Sequence, residues 1–194
     1  MADPRHGAAD LPQFQKAAEL RAARSRPRGL RRRAIAVGAL VTGLVASIVA
    51  PPRPRLVWNT SASAPVGLYA VGDRDGIEAG DMVIAWVPRR ARALAAARHY
   101  LPANVPLVKR VAAAPGDTIC AANDHIRVNG RWVAWRRSRD GRGRPMPAWR
   151  GCITLGEGAL FLLMADSADS FDGRYFGPTS RGDVIGKAAL LWAR

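Results

Sequence analysis

The chain has 194 residues, is 48% hydrophobic and carries 30 Lys+Arg against 15 Asp+Glu, a formal charge of +15. That length suits one domain with appendages, and that composition supplies a sizeable core. The charge calls for an acidic partner, yet the chain has no zinc-finger spacing, no glycine-rich phosphate loop and no basic-aromatic RNA motif. Nearly all of the excess is Arg, a usage that also follows genomic base composition, so no specific nucleic acid is expected as a partner.

Residues 1–33 are polar and crowded with arginine from Arg21 to Arg33, and read as a cytoplasmic tail, helical at best around Leu11–Arg24. Ala34–Ala50 is uncharged and apolar, at the short end of the roughly 17–25 residues that span a bilayer. The arginines before it place the N-terminus in the cytoplasm and the remainder across the membrane. A cleaved signal peptide ending near Ala50 is the alternative, disfavoured by the long leader. Residues 51–55, Pro-Pro-Arg-Pro-Arg, form a stiff connector. A domain then runs over 56–194.

Within it, Asn59–Tyr69 is rich in small hydroxyl residues and closes with Pro65 and Gly67. Pro65 biases Ala64 away from helix, and Gly67 permits turn geometry, so Ser63 lies on an extended segment entering a turn. Leu68–Val71 and Asp81–Val87 read as strands, and Arg89–Tyr100 as the one helix of the domain. Leu107–Ala113 is a strand with a lysine inside it. Alternation puts Lys109 and Arg110 on opposite faces, so one of them points inward. A buried lysine without a partner loses its charge easily, and a neutral amine is a competent base. Ile126–Val128, Asn129-Gly130 and Arg131–Trp135 make a hairpin. Ser138–Arg150 is expected to be an exposed, mobile loop; Ala159–Met164 and Val184–Trp192 are strands. Cys120 and Cys152 form a disulfide if this part lies outside the cytosol, or remain two buried thiols if it lies inside.

Three blocks carry chemistry. Asn59-Thr60-Ser61-Ala62-Ser63-Ala64-Pro65-Val66-Gly67-Leu68-Tyr69 follows N-x-[ST]-x-S-x-P-x-G-x-Y. Lys109-Arg110 followed by Pro115-Gly116-Asp117 follows K-R-x-x-x-x-P-G-D. Ala165-Asp166-Ser167 with Ser170-Phe171-Asp172-Gly173-Arg174-Tyr175-Phe176-Gly177 follows G-D-N and S-x-D-S-R-Y-x-G, with Ala165, Ser167 and Gly173 as departures. In this order, behind an N-terminal anchor, they resemble the S26-like signal peptidases with a serine–lysine dyad, in particular the TraF-type conjugative-transfer branch. The resemblance covers most of 56–194.

That resemblance implies a mostly β, antiparallel signal-peptidase-like domain with one short helix, behind a single N-terminal transmembrane helix. It implies Ser63 as nucleophile and Lys109 as its base. Ser61 and the Ser63 backbone N–H would form an oxyanion hole, Ser170 would orient the lysine amine, and Asp172 and Arg174 would hold the loop. Cleavage would act on an exported precursor protein, a conjugative pilin by the TraF likeness, at the periplasmic face of a bacterial inner membrane. The partners are that precursor, the membrane lipid and a conjugative transfer apparatus; no cofactor and no metal is expected. The alternatives are a general signal peptidase I and a non-catalytic component of a transfer or secretion apparatus. A Ser-His-Asp triad is disfavoured, because His6 lies in the tail and His99 and His125 lie in no motif.

Overall fold

The computed structural model describes residues 11–50 and 54–194, with side chains from residue 29 onward. The chain divides into two compact units, Met1–Pro52 and Arg53–Arg194. The first contains α1 (Leu11–Val49), a single helix of 39 residues. This corrects the expectation of a tail helical only around Leu11–Arg24, with a separate span over 34–50. The stretch between them, residues 25–33, holds five arginines, which favour helix, and the helix runs through it although it also contains Pro27 and Gly29. Gly29–Val49, 21 residues with mean hydropathy 1.6, is long and apolar enough to cross a membrane and fits a single-pass anchor. Most of the proposed connector, residues 51–53, lies outside the described residues.

The second unit is antiparallel β. Its strands are β1 (Leu56–Asn59), β2 (Gly67–Val71), β3 (Met82–Ala85), β4 (Leu107–Ala113), β5 (Thr118–Ala122), β6 (His125–Val128), β7 (Arg131–Trp135), β8 (Gly151–Thr154), β9 (Ala159–Leu163), β10 (Thr179–Ser180) and β11 (Val184–Ala193). Seven strands form one sheet in the order β1-β2-β11-β3-β4-β9-β10, and four form a smaller one, β7-β6-β5-β8. Two helices, not one, belong to this unit: α2 (Arg89–Ala97) and the single turn α3 (Gly173–Phe176). The extra turn is capped by Asp172, whose carboxylate accepts from the Arg174 N–H.

The central strands are buried on both faces, so they read as continuous apolar runs. Val83, Ile84 and Ala85 on β3 and Leu160–Leu163 on β9 are all buried. One core lies between α2 and the large sheet, around Val83, Val87, Ala95, Leu107 and Leu162. A second joins the two sheets through Ile119, Ile126, Ala134, Phe161 and Leu163. The β6–β7 turn is Asn129-Gly130 with φ of 49° and 77°, the geometry this dipeptide favours. Cys120 and Cys152 face each other across β5 and β8 and are joined by a disulfide.

Candidate functional site

The site starts at the turn between β1 and β2. Asn59, the last residue of β1, is buried, and its carboxamide organises the turn. Its Nδ2 donates to the carbonyls of Ser61 (3.0 Å), Ala64 (3.2 Å) and Pro65 (3.0 Å), while its Oδ1 accepts from the Ser61 N–H (3.1 Å). The Tyr69 hydroxyl adds a bond to the Pro65 carbonyl at 2.8 Å. Side chains thus satisfy backbone groups that a turn of small residues leaves open. Sequence reasoning gives Asn59 no role of its own, although a signal is present: an asparagine opening a turn commonly bonds the backbone just ahead of it. Gly67, expected as a turn residue, is the first residue of β2. What demands glycine there is close approach, because an added Cβ would lie 2.0 Å from the Trp192 carbonyl oxygen on β11.

Lys109 sits in the middle of β4, paired with Val83 of β3, and is 4% exposed, whereas Arg110 is exposed. Its Nζ donates to Ser63 Oγ at 2.5 Å. Burial drives the amine's pKa down from 10.5 to about 8; the Asp172 charge opposes this and the Arg174 charge assists it. The carboxylate of Asp172 limits the fall.

The remaining predicted residues gather around this pair. Ser61 Oγ lies 2.9 Å from Ser63 Oγ and accepts from the Ser63 N–H at 3.4 Å, so the two groups expected to form an oxyanion hole are adjacent and engaged with each other. Asp172 and Arg174 are 0% and 1% exposed. Arg174 Nε donates to Asp172 Oδ1 at 2.8 Å, and its other nitrogens reach the carbonyls of Met164 (2.6 Å) and Trp135 (3.1 Å). Asp172 also accepts from the Met164 N–H at 3.0 Å. The pair therefore ties the end of β9 to the end of β7, with every strong donor directed at an acceptor. Gly173, a departure from the family pattern, is explained by space: a Cβ there would lie 2.7 Å from both the Leu162 carbonyl oxygen and the Phe161 ring. Ser170 departs from expectation. It is 2% exposed, but its Oγ has no hydrogen-bond partner among the described residues, so it does not hold the lysine amine in this structure. Its backbone N–H donates to the Ser167 carbonyl at 3.2 Å.

Ser63, Lys109 and Ser170 open onto a cleft of about 440 Å³. Its apolar walls include Val87, Leu101, Leu107 and Phe171. The loop 138–150 supplies part of the opposite wall through Arg139, Asp140, Gly141 and Met146. This loop, expected to be mobile, is pinned. Asp140 accepts from the Tyr100 hydroxyl (2.5 Å) and from Arg144 Nε (2.7 Å), which holds its carboxyl far below the usual range. Trp149 Nε1 donates to the Gly173 carbonyl at 2.9 Å. Arg137 and Asp169 form an ion pair at 2.9 Å on the cleft rim.

A hydroxyl in contact with an amine of lowered pKa can be deprotonated when the amine is neutral, and the cleft has room for an extended peptide beside it. Among the described residues no three His, Cys, Asp or Glu side chains converge as a metal site would require.

The sequence matches the family model described as "Signal peptidase, peptidase S26" over residues 30–193. A plasmid transfer protein TraF of Escherichia coli is 32% identical over 172 residues, covering 81% of this chain and 96% of that protein. A second TraF of the same species is 35% identical over 148 residues, covering 69% and 82%. A probable conjugal transfer protein TraF of Sinorhizobium fredii is 33% identical over 140 residues, covering 67% and 73%. A crystal structure of a signal peptidase I from Enterococcus faecalis V583 aligns at 19% identity and a TM-score of 0.36, covering 58% of this chain and 97% of that one; the superposition is too loose to bear on the site.

Proposed function

Because the chain belongs to the peptidase S26, or signal peptidase, family, we propose that it is a membrane-anchored serine endopeptidase with Ser63 as nucleophile and Lys109 as general base. The observation that carries this reading is the 2.5 Å contact between Lys109 Nζ and Ser63 Oγ, made by a lysine buried in a strand. A neutral Lys109 amine takes the Ser63 proton as Oγ attacks the scissile carbonyl carbon. The developing oxyanion turns to the Ser63 N–H and the Ser61 hydroxyl, which exchange their mutual bond for it. The Lys109 ammonium then returns its proton to the leaving amine, and an ester to Ser63 remains. Water attacks that ester with Lys109 again as base, releasing the new carboxyl end and restoring the hydroxyl. Asp172 and Arg174 hold the site's backbone, and the Asp172 charge opposes the burial that lowers the lysine pKa.

The TraF likeness supports a conjugative pilin precursor as substrate. The arginines preceding the apolar helix support a cytoplasmic N-terminus and a periplasmic domain. The test is cleavage of candidate pilin precursors in detergent, followed by mass analysis of the products. Ser63→Ala should abolish cleavage with the fold intact. Lys109→Arg should fall by at least about 1000-fold, because a guanidinium keeps its proton. Wild-type kcat should rise with pH through about 8, the pKa of the buried amine. Near-normal turnover by Lys109→Arg would rule out the lysine as base.

A further inference from the structure

The positive charge of the β domain is concentrated in one lobe. Residues 118–154, which form the four-stranded sheet and the loop that walls the cleft, hold eight arginines against two aspartates, a formal +6. The rest of the domain from Pro54 holds twelve Lys+Arg against ten Asp+Glu, a formal +2. Among the described residues, the ion pairs of this lobe are Arg144–Asp140 and Arg137–Asp169, and His125 Nδ1 lies 2.8 Å from Asp124 Oδ1. Arg127 and Arg131 on the β6–β7 hairpin are exposed and pair with no carboxylate among the described residues. The inward residues of the sheet, Ile126 and Ala134 among them, make the core. Its outward face carries Trp132 opposite Arg127 and Trp135 opposite His125, with the tryptophans 52% and 51% exposed and their rings 5.8 Å apart. Unpartnered like charges repel one another, and half-exposed indoles leave apolar area in water, so the fold alone accounts for neither. Both suit a ligand that is acidic and partly apolar.

The same strand leads from this face into the cleft. β7 ends at Trp135, and Arg137 and Arg139, two and four residues further on, line the cavity that contains Ser63 and Lys109. Arg137 and Arg139 thus link the cleft to the hairpin along one continuous stretch of chain. An extended segment of about five residues spans the roughly 17 Å of β7. We propose that the outer face of the β6–β7 hairpin is an exosite for an acidic segment of the precursor whose scissile bond lies in the cleft. This deepens the peptidase reading and rests on it. The substrate class is thereby narrowed to precursors with glutamate or aspartate, interspersed with apolar residues, a few residues from the cleavage point. Arg127, Trp132 and Trp135 on that face bind that segment, Arg131 adds its charge from the turn end of the hairpin, opposite Val128, and none of them takes part in bond cleavage.

Two measurements on the full chain in detergent test this. In the first, a fluorescent eight-residue glutamate- and leucine-containing peptide is titrated into Ser63→Ala protein and into the same protein carrying Arg127→Glu and Arg131→Glu. The charge reversal should weaken binding at least about tenfold, and salt should erase the difference by screening. Arg127→Ala with Arg131→Ala, a milder change, should weaken it less. In the second, a cleavable peptide is compared with and without an acidic extension. The extension should lower KM at unchanged kcat for wild-type protein and have no effect on the Arg127→Glu, Arg131→Glu enzyme, while both cleave the unextended peptide alike. Equal binding by wild-type and reversed proteins would overturn the exosite. So would a reversal that weakens a single-stranded oligonucleotide or phosphatidylglycerol vesicles but spares the acidic peptide. Peptide binding lost on reversal, with no substrate cleaved by wild-type protein, would overturn the peptidase reading while supporting the acidic-segment surface.

Discussion

Arginine does opposite work in the two sheets. In α3, beside β9 of the seven-stranded sheet, Arg174 is 1% exposed, and its guanidinium is consumed by Asp172 and two carbonyls. On the four-stranded sheet Arg127 and Arg131 are exposed, and no carboxylate among the described residues faces them. Burial with full hydrogen bonding makes an arginine part of the scaffold; exposure without a partner leaves its charge available to a ligand. Cost on deletion is the quantity that separates the two.

The largest effect is expected at Arg174. Replacing it by Met leaves the Asp172 carboxylate buried without its cation, a loss of about 3–5 kcal/mol in unfolding free energy by denaturant titration. A loss below about 1 kcal/mol would mean that the pair does not scaffold the site. Next is Lys109, whose effect depends on pH. In the unfolded chain the amine keeps its proton up to its ordinary 10.5; in the fold it releases it at about 8. Between those values the unfolded state binds more protons, so stability rises with pH there, by on the order of 3 kcal/mol. A Lys109→Met protein should lack that rise, and an unchanged pH profile would count against the buried, destabilised ammonium.

Removing the disulfide by Cys120→Ser with Cys152→Ser should cost about 2–4 kcal/mol. Thiol labelling of unreduced, denatured wild-type protein should find no free cysteine. Asn59→Ala should cost about 1–3 kcal/mol, because several turn groups lose their only side-chain partner. If Asn59 positions the nucleophile as well as the backbone, kcat should fall more than KM rises, with the pH midpoint near 8 unmoved. The smallest effect belongs to the other sheet: Arg127→Ala should change stability by no more than about 0.5 kcal/mol. A larger loss would make that arginine structural and remove the contrast.

Much of this molecule is legible in the order of its residues. The Asn129-Gly130 hairpin, strand β4 and the three motif blocks are local signals, set by φ preference, alternation and residue order. Lys109 falls on a strand with one inward-facing basic residue, because alternation forces that choice. Local pattern does not say which strands pair. β11, the last strand, lies between β2 and β3, and its contact with β2 is what requires glycine at position 67. Nor does local pattern reveal that loop 138–150 is tethered, because the Tyr100 hydroxyl that holds Asp140 lies 40 residues away in sequence.

The same division holds at the site. The residue types at 63, 109, 172 and 174 point to a hydroxyl, an amine and an ion pair wherever the chain places them. Their distances, the unpaired Ser170 hydroxyl and the partial fall of the lysine pKa arise only once β1, β4 and the segment after β9 converge. Those quantities depend on separation and solvent exclusion, which no single segment possesses alone. The gathering of charge on one lobe has the same origin. The arginines of 118–154 can be counted in the sequence, but only the small sheet, through its pleat and the register shift between Ile126 and Arg127, decides that Arg127 and the two tryptophans turn outward while Ile126 and Ala134 turn in.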